Sequence, residues 1–288
     1  MRSPLRRVAI SRVRTVTTIG QERSWRDLYH VLLTMPWWAF FGLMALAFLV
    51  LNLFFAGLYL LDPKGIANAR SGAFVDSFFF SVQTLGTLGY GVLAPQTLYT
   101  NLVVVAETFV GIVNASISTG LIFARFSRPT ARVLFSKVAV ISPFEGVPTF
   151  MFRAANQRGN NILQAEVTVT WAFEAITREG SPIRRLQELR VTKSRSPLFA
   201  LSWLVMHPID ETSPLWGLTP KDLAERQSEF LVVMSGNDES FAQRIFARHS
   251  YHFEEVVWDR AFVDILQSGP EGVILVDYRR FHDVRELE

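Results

Sequence analysis

The sequence predicts an α+β membrane protein: two transmembrane helices bracketing a re-entrant helix and loop, followed by a β-sandwich domain in the aqueous phase. Three observations predict it. Two long apolar runs, Trp37–Leu61 and 98–124, each have the length of a membrane span. A shorter apolar run, 73–82, lies between them and is too short to cross. Beyond residue 137 the hydrophobic pattern changes to period two and is broken by turn-forming residues.

The bulk numbers agree with that division. Hydrophobic residues make up 49% of the 288 and charged residues 19%, below the roughly 25% charged share of a typical soluble protein. The apolar excess lies before residue 125. The chain has no cysteine, which excludes disulfides, thiolate metal sites and cysteine nucleophiles. The net charge is +3, and seven arginines (Arg2, Arg6, Arg7, Arg12, Arg14, Arg23, Arg26) precede the first apolar run. Basic residues so placed point to a membrane surface and argue against nucleic acid as a partner.

The first span is uncharged over 25 residues. At about 1.5 Å per residue it exceeds the roughly 30 Å hydrocarbon core. It is too long for a signal-peptide core, and no small-residue cleavage site follows. The second span carries one charge, Glu107, and many small residues, including Gly111, Ala115, Ser116, Ser118, Thr119 and Gly120. Such residues let helices approach closely. Basic residues flank the pair on the outside, whereas segment 62–97 holds only Lys64 and Arg70 against Asp62 and Asp76. Both termini are therefore expected in the cytoplasm. Residues 25–35 form a short amphipathic stretch ended by Pro36, read as an interfacial helix, with an extension of the first span as the alternative.

Directly after the short apolar run comes Thr87-Leu88-Gly89-Tyr90-Gly91. A dehydrated potassium ion needs a cage of oxygens, and stacked backbone carbonyls supply one. Aligning successive carbonyls requires unusual backbone angles, which Gly89 and Gly91 permit. Thr87 adds a hydroxyl, and Tyr90 with the Phe78–Phe80 cluster is expected to brace the loop from behind. By chance such a pentapeptide arises on the order of once in a few hundred chains this long. Its position between two spans makes it a selectivity filter. One filter per chain implies a homotetramer, since closed rotational symmetry completes the ring.

In the C-terminal half, Ala165, Val167, Val169, Trp171 and Phe173 alternate with mostly polar residues, as in a half-buried strand. Further strands are expected at 149–153, 198–206, 230–235 and 273–278, and a short helix at 219–226 capped by Thr219. No Gly-x-Gly-x-x-Gly stands between a strand and a helix, and the five histidines lack metal-helix spacing. His249 and His252 are read as a solvated or structural pair. No constellation of nucleophile, base and oxyanion donors points to an enzyme.

At this point the residues carry a resemblance. The chain resembles inward-rectifier potassium channels, most closely the bacterial KirBac type, from Trp25 to Asp283. The match rests on the filter, on 109–112 and 118–129 around the second span, and on His207-Pro-Ile-Asp-Glu-Thr-Ser-Pro-Leu215, 247–251 and 276–281. The resemblance implies an immunoglobulin-like cytoplasmic sandwich, a helix at 25–35 that slides along the membrane during gating, and a bacterial inner-membrane location. It implies that Phe123 narrows the inner mouth and that Gly111 and Gly120 are flexible hinge positions. Helical spacing puts Phe123, Thr119, Ala115 or Ser116, and Ile112 on one cavity-lining face.

The departures from the family matter as well. Where strong rectifiers carry a cavity acid, Ala115 stands here, so weak rectification is expected. Gln83 and Val92 replace the Glu–Arg pair that many members hold behind the filter. Of the basic run that binds phosphoinositide in animal members, Arg125, Arg128 and Arg132 match, while Thr130 and Ala131 do not. Anionic lipid headgroups are the expected partner. Glu107 is either a functional group by virtue of its ionisable side chain or, as favoured here, a hydrogen-bonding support behind the pore helix.

The expected layout is a cytoplasmic segment 1–24, an interfacial helix 25–35 and a pore domain 36–126. The pore domain holds an outer helix 37–61, a pore helix and filter 71–91, and an inner helix 98–124. A linker 127–137 leads to the sandwich 138–288. The expected function is passive potassium conduction without a cofactor, K+ being the permeant ion. The alternatives are a less selective cation channel of the same build and a membrane-anchored binding module.

Overall fold

The structure, a computed structural model, describes residues 6–9, 15–18, 28–127, 131–268 and 274–287. Two compact units divide the chain, one over Glu22–Arg128 and one over Pro129–Glu288 together with Met1–Gln21. Near the N-terminus a short antiparallel pair joins β1 (Arg6–Ala9) to β2 (Thr15–Thr18).

The first unit is helical. A helix α1 of about two turns (Leu28–Thr34) ends before Pro36, and residues 25–27 of the expected interfacial stretch lie outside the described residues. Helix α2 runs over Trp37–Tyr59. It stops two residues short of the expected 61, because Leu60 and Leu61 turn toward Asp62, with Asp62 N donating to Tyr59 O at 3.1 Å. A two-residue bridge pairs β3 (Ile66–Ala67) with β4 (Ala94–Pro95), closing the base of the connecting segment. Inside that segment α3 covers Phe74–Leu85, with Asp76 in its first turn where the helix dipole favours an acid. Helix α4 spans Leu98–Phe126. Thr97 caps it by accepting from Thr100 N, and it continues two residues past the expected 124.

The second unit is a sandwich of two sheets. Strands β5 (Val133–Phe135), β6 (Ala139–Phe144), β7 (Val147–Asn156) and β8 (Ile162–Ile176) come first. Next are β9 (Pro182–Leu189), β10 (Arg195–Phe199) and β11 (Ser202–Pro208). Helix α5 (Pro220–Glu225) precedes β12 (Glu229–Asp238), β13 (Gln243–His252) and β14 (Val256–Trp258). One sheet has the order β10-β8-β12-β13 with β9 also on β8; the other is β11-β7-β6-β14 with β5 also on β7. Only the β6–β14 pair among these is parallel. Two short antiparallel pairs follow: β15 (Arg260–Phe262) with β18 (Val284–Glu286), and β16 (Leu266–Ser268) with β17 (Ile274–Val276).

Alternation fills the core. Ala165, Val167, Val169 and Trp171 from β8 meet Phe150 and Phe152 from β7 and Phe230, Val232 and Met234 from β12. Burying each large side chain of this kind stabilises by about 1.5–3 kcal/mol.

Three sequence expectations need correction in this unit. The sheet begins at Val133, inside the expected linker, because β5 pairs with β7. The expected strand at 198–206 is two strands in different sheets, broken at Ala200 and Leu201. The expected strand at 273–278 narrows to Ile274–Val276, and Tyr278 opens a 3-10 turn; Val273 lies outside the described residues.

His207 and His249 have structural partners. His207 is 3% exposed, with Nδ1 2.7 Å from Arg190 O and Nε2 2.8 Å from Ser213 Oγ. His249 stacks on Phe135 at 5.0 Å. Among the described residues no three His, Cys, Asp or Glu side chains gather for a metal.

Candidate ion-conduction site

The site starts at the C-terminal end of α3. Gly86 caps the helix, with its N–H donating to Val82 O at 3.0 Å, and the next N–H groups turn back on the helix: Thr87 N to Thr84 O at 3.1 Å and Leu88 N to Gln83 O at 2.8 Å. The backbone then alternates. Thr87, Gly89 and Gly91 take left-handed φ values of 57°, 56° and 79°, while Leu88 and Tyr90 between them do not. Alternating left- and right-handed residues turn successive carbonyls toward one side. A threonine in that region costs roughly 1–2 kcal/mol, so neighbouring structure must hold it there.

Behind α3 lies a buried polar network. Ser81 Oγ of α3 donates to Glu107 Oε1 of α4 at 2.5 Å and lies 3.0 Å from Asn52 Oδ1 of α2. Tyr59 OH, also from α2, donates to Glu107 Oε2 at 2.5 Å. Asn52 Nδ2 is tied to Phe48 O at 2.7 Å. Asn52, Ser81 and Glu107 are all fully buried. Three helices thus meet at one carboxyl group. Sequence reasoning named Glu107 but missed Asn52, Tyr59 and Ser81; a lone asparagine in an otherwise apolar span was the available signal.

A second clip stands at the far end of the connecting segment. Thr97 Oγ1 donates to Asp62 Oδ2 at 2.5 Å, and Gln96 N donates to Gly65 O at 2.7 Å.

Tyr90 stands at the surface of the single subunit. Its side chain is 69% exposed, Phe80 packs edge-on against Tyr59 at 4.9 Å, and Phe78 stacks on Phe74. The Phe78–Phe80 rings, expected together with Tyr90 behind the loop, pair with Tyr59 of α2, with Phe74 and with one another.

Along α4 the expected cavity residues Ile112, Ala115, Ser116 and Thr119 are exposed, as are the expected gate Phe123 and the expected hinge Gly120. Ser116 Oγ donates to Ile112 O at 2.8 Å. Phe123 is 71% exposed. Thr100, Val103, Glu107 and Gly111 are buried.

Of the three arginines, Arg125 is only 9% exposed. Its guanidinium donates to Leu32 O and Met35 O, both at 2.6 Å, and lies 4.4 Å from the Trp37 ring and 4.5 Å from the Phe40 ring. Its two terminal nitrogens thus each donate to the chain at the end of α1. Arg132 is exposed, and Arg128 lies outside the described residues.

Two family models match the chain. The inward rectifier potassium channel C-terminal domain matches residues 133–288, and the ion channel model matches 46–128. Inward rectifier potassium channel Kirbac3.1 of Paramagnetospirillum magnetotacticum is 45% identical over 273 residues, 94% of this chain and 92% of that protein. The chain belongs to the inward rectifier potassium channel family. Human relatives are more distant and in part longer. Inward rectifier potassium channel 18 is 31% identical over 223 residues, and the match spans only 51% of its length. ATP-sensitive inward rectifier potassium channel 15 is 27% identical over 285 residues.

Membership of the inward rectifier family makes this chain a potassium channel subunit in a membrane, tetrameric and not an enzyme. The exposed α4 residues and the left-handed alternation at 87–91 belong to the unit that the ion channel model covers.

Proposed function

We propose that Thr87, Leu88, Gly89, Tyr90 and Gly91 form the selectivity filter, with K+ coordinated by the carbonyls of Thr87, Leu88, Gly89 and Tyr90. The observation that carries this is the left-handed backbone at every second residue directly after the end of α3. Four such loops on one axis stack rings of oxygens that replace the hydration shell of K+. The negative end of the α3 dipole, worth about half a charge, favours a cation just below them.

Below the filter, Ile112, Ala115, Ser116 and Thr119 line the cavity and Phe123 is the gate. A ring of four exposed phenyl groups closes by dewetting and opens when α4 shifts. Ala115 leaves the cavity without a carboxylate, so block by intracellular cations is weak. Both termini lie on the cytoplasmic side of a bacterial inner membrane, a reading supported by the arginines outside the spans. Anionic headgroups bind at Arg128 and Arg132. Arg125 acts beside them by tying α1 to α4.

Potassium uptake into proteoliposomes tests the filter. Uptake should be blocked by barium, exceed sodium uptake, and vanish in Gly89→Ala, where a Cβ at φ 56° strains every subunit. Equal sodium and potassium flux through the wild type would favour the less selective cation channel instead.

A further inference from the structure

Gly111 and Gly120 sit on the same inner helix in opposite surroundings. A Cβ built on Gly111 would lie 2.9 Å from the backbone oxygen of Leu85, 3.3 Å from its Cδ1 and 3.5 Å from its Cα. A Cβ on Gly120 would meet nothing within 4 Å. Leu85 is the last residue of α3, and only Gly86 separates it from Thr87. A carbonyl oxygen at a helix end cannot swing aside as a side-chain tip can, so a methyl group at 111 must displace either the pore helix or the inner helix.

A second contact fixes the same seam. Four residues earlier on each helix, Glu107 accepts from Ser81. The pairs Ser81–Glu107 and Leu85–Gly111 thus advance together along α3 and α4, one hydrogen-bonded and one held by close approach. The first sets which residues face each other, and the second sets how near the helix end may come.

We propose that Gly111 is a positioning residue for ion selectivity. Its missing side chain seats the end of the pore helix at the depth the filter needs, and the flexible position of the inner helix is Gly120 alone. The inference rests on residues 87–91 being the filter. A hinge at Gly111 would alter how often the channel opens; a seat at Gly111 alters which ion passes.

The test compares reconstituted wild type, Gly111→Ala and Gly120→Ala for potassium and sodium flux. It also compares the rise in tetramer melting temperature that K+ produces over Na+. Gly111→Ala should lower the K+:Na+ flux ratio by about tenfold or more, equivalent to about 1.4 kcal/mol, and lose the K+-specific thermal shift. Gly120→Ala should keep both and change only the flux rate. Should Gly111→Ala fail to assemble, a linked tetramer with one such subunit in four should still show a lowered ratio. An unchanged ratio and thermal shift in Gly111→Ala, or an unchanged ratio in the linked form, would overturn the proposal. A wild type without K+ selectivity would instead overturn the filter reading beneath it.

Discussion

Glu107 shows how much one residue can hold together. Its two oxygens receive Ser81 and Tyr59, so one carboxyl group ties the inner, pore and outer helices. Replacing it with leucine strips two buried hydroxyls of their acceptor, at a cost of about 1–3 kcal/mol per subunit. Glu107→Leu should therefore lower the melting temperature of the tetramer, and Glu107→Gln, which keeps an acceptor, should lower it less. Equal stability in all three would remove the network from the account. Only part of this was legible in the sequence. An acid inside a span is visible as an anomaly, but Ser81 and Tyr59 are ordinary residues until folding brings them within reach. Arg125 shows the reverse. Its place in a basic run suggested a lipid headgroup, and the structure turns it inward onto the Leu32 and Met35 carbonyls, because Trp37 and Phe40 offer it two ring faces.

At the scale of elements, the strands whose side chains alternate most cleanly were the easiest to read. Strand β8 carries its pattern through Ala165 to Trp171, and the buried side of that pattern is the core. The segment 198–206 misled because it is apolar but for Ser202. Periodicity does not show that Ala200 and Leu201 carry the chain from one sheet to the other.

His207 of β11 and His282 near the C-terminus give a pH prediction. Burial depresses the pKa of His207 below the ordinary imidazole value. Burial and the charge of Lys137 do the same for His282. The unfolded chain then binds more protons as pH falls below about 6.5. The stability these groups contribute is complete above that pH and is lost as pH falls through their folded values. The carboxylates of Asp210, Asp222 and Asp277, lowered by hydrogen bonds, act only below 3.8. Hydrogen exchange of amides 202–215 in the intact channel should therefore speed up between pH 6.5 and 5, once corrected for intrinsic rates. His207→Gln should flatten that slope. A flat wild-type profile would contradict it.

The whole molecule is a tetramer, and much of its function exists only there. On one subunit Tyr90, Leu88 and Phe123 are exposed, which is what a ring of four requires of residues that meet their copies or face the pore. The cavity also acts as a whole. Ala115→Asp would place four carboxylates where none stands, and should strengthen block by added magnesium or spermine at positive voltage. Block unchanged from wild type would remove residue 115 from the cavity face.

The proposed conduction requires bare cations lodged among the peptide oxygens of residues 87–90. Anomalous diffraction from crystals of the tetramer soaked in rubidium tests this most directly. The expected result is a row of peaks on the fourfold axis, level with the carbonyls of Thr87, Leu88, Gly89 and Tyr90. An axis empty at that depth, with rubidium bound only elsewhere, would contradict it.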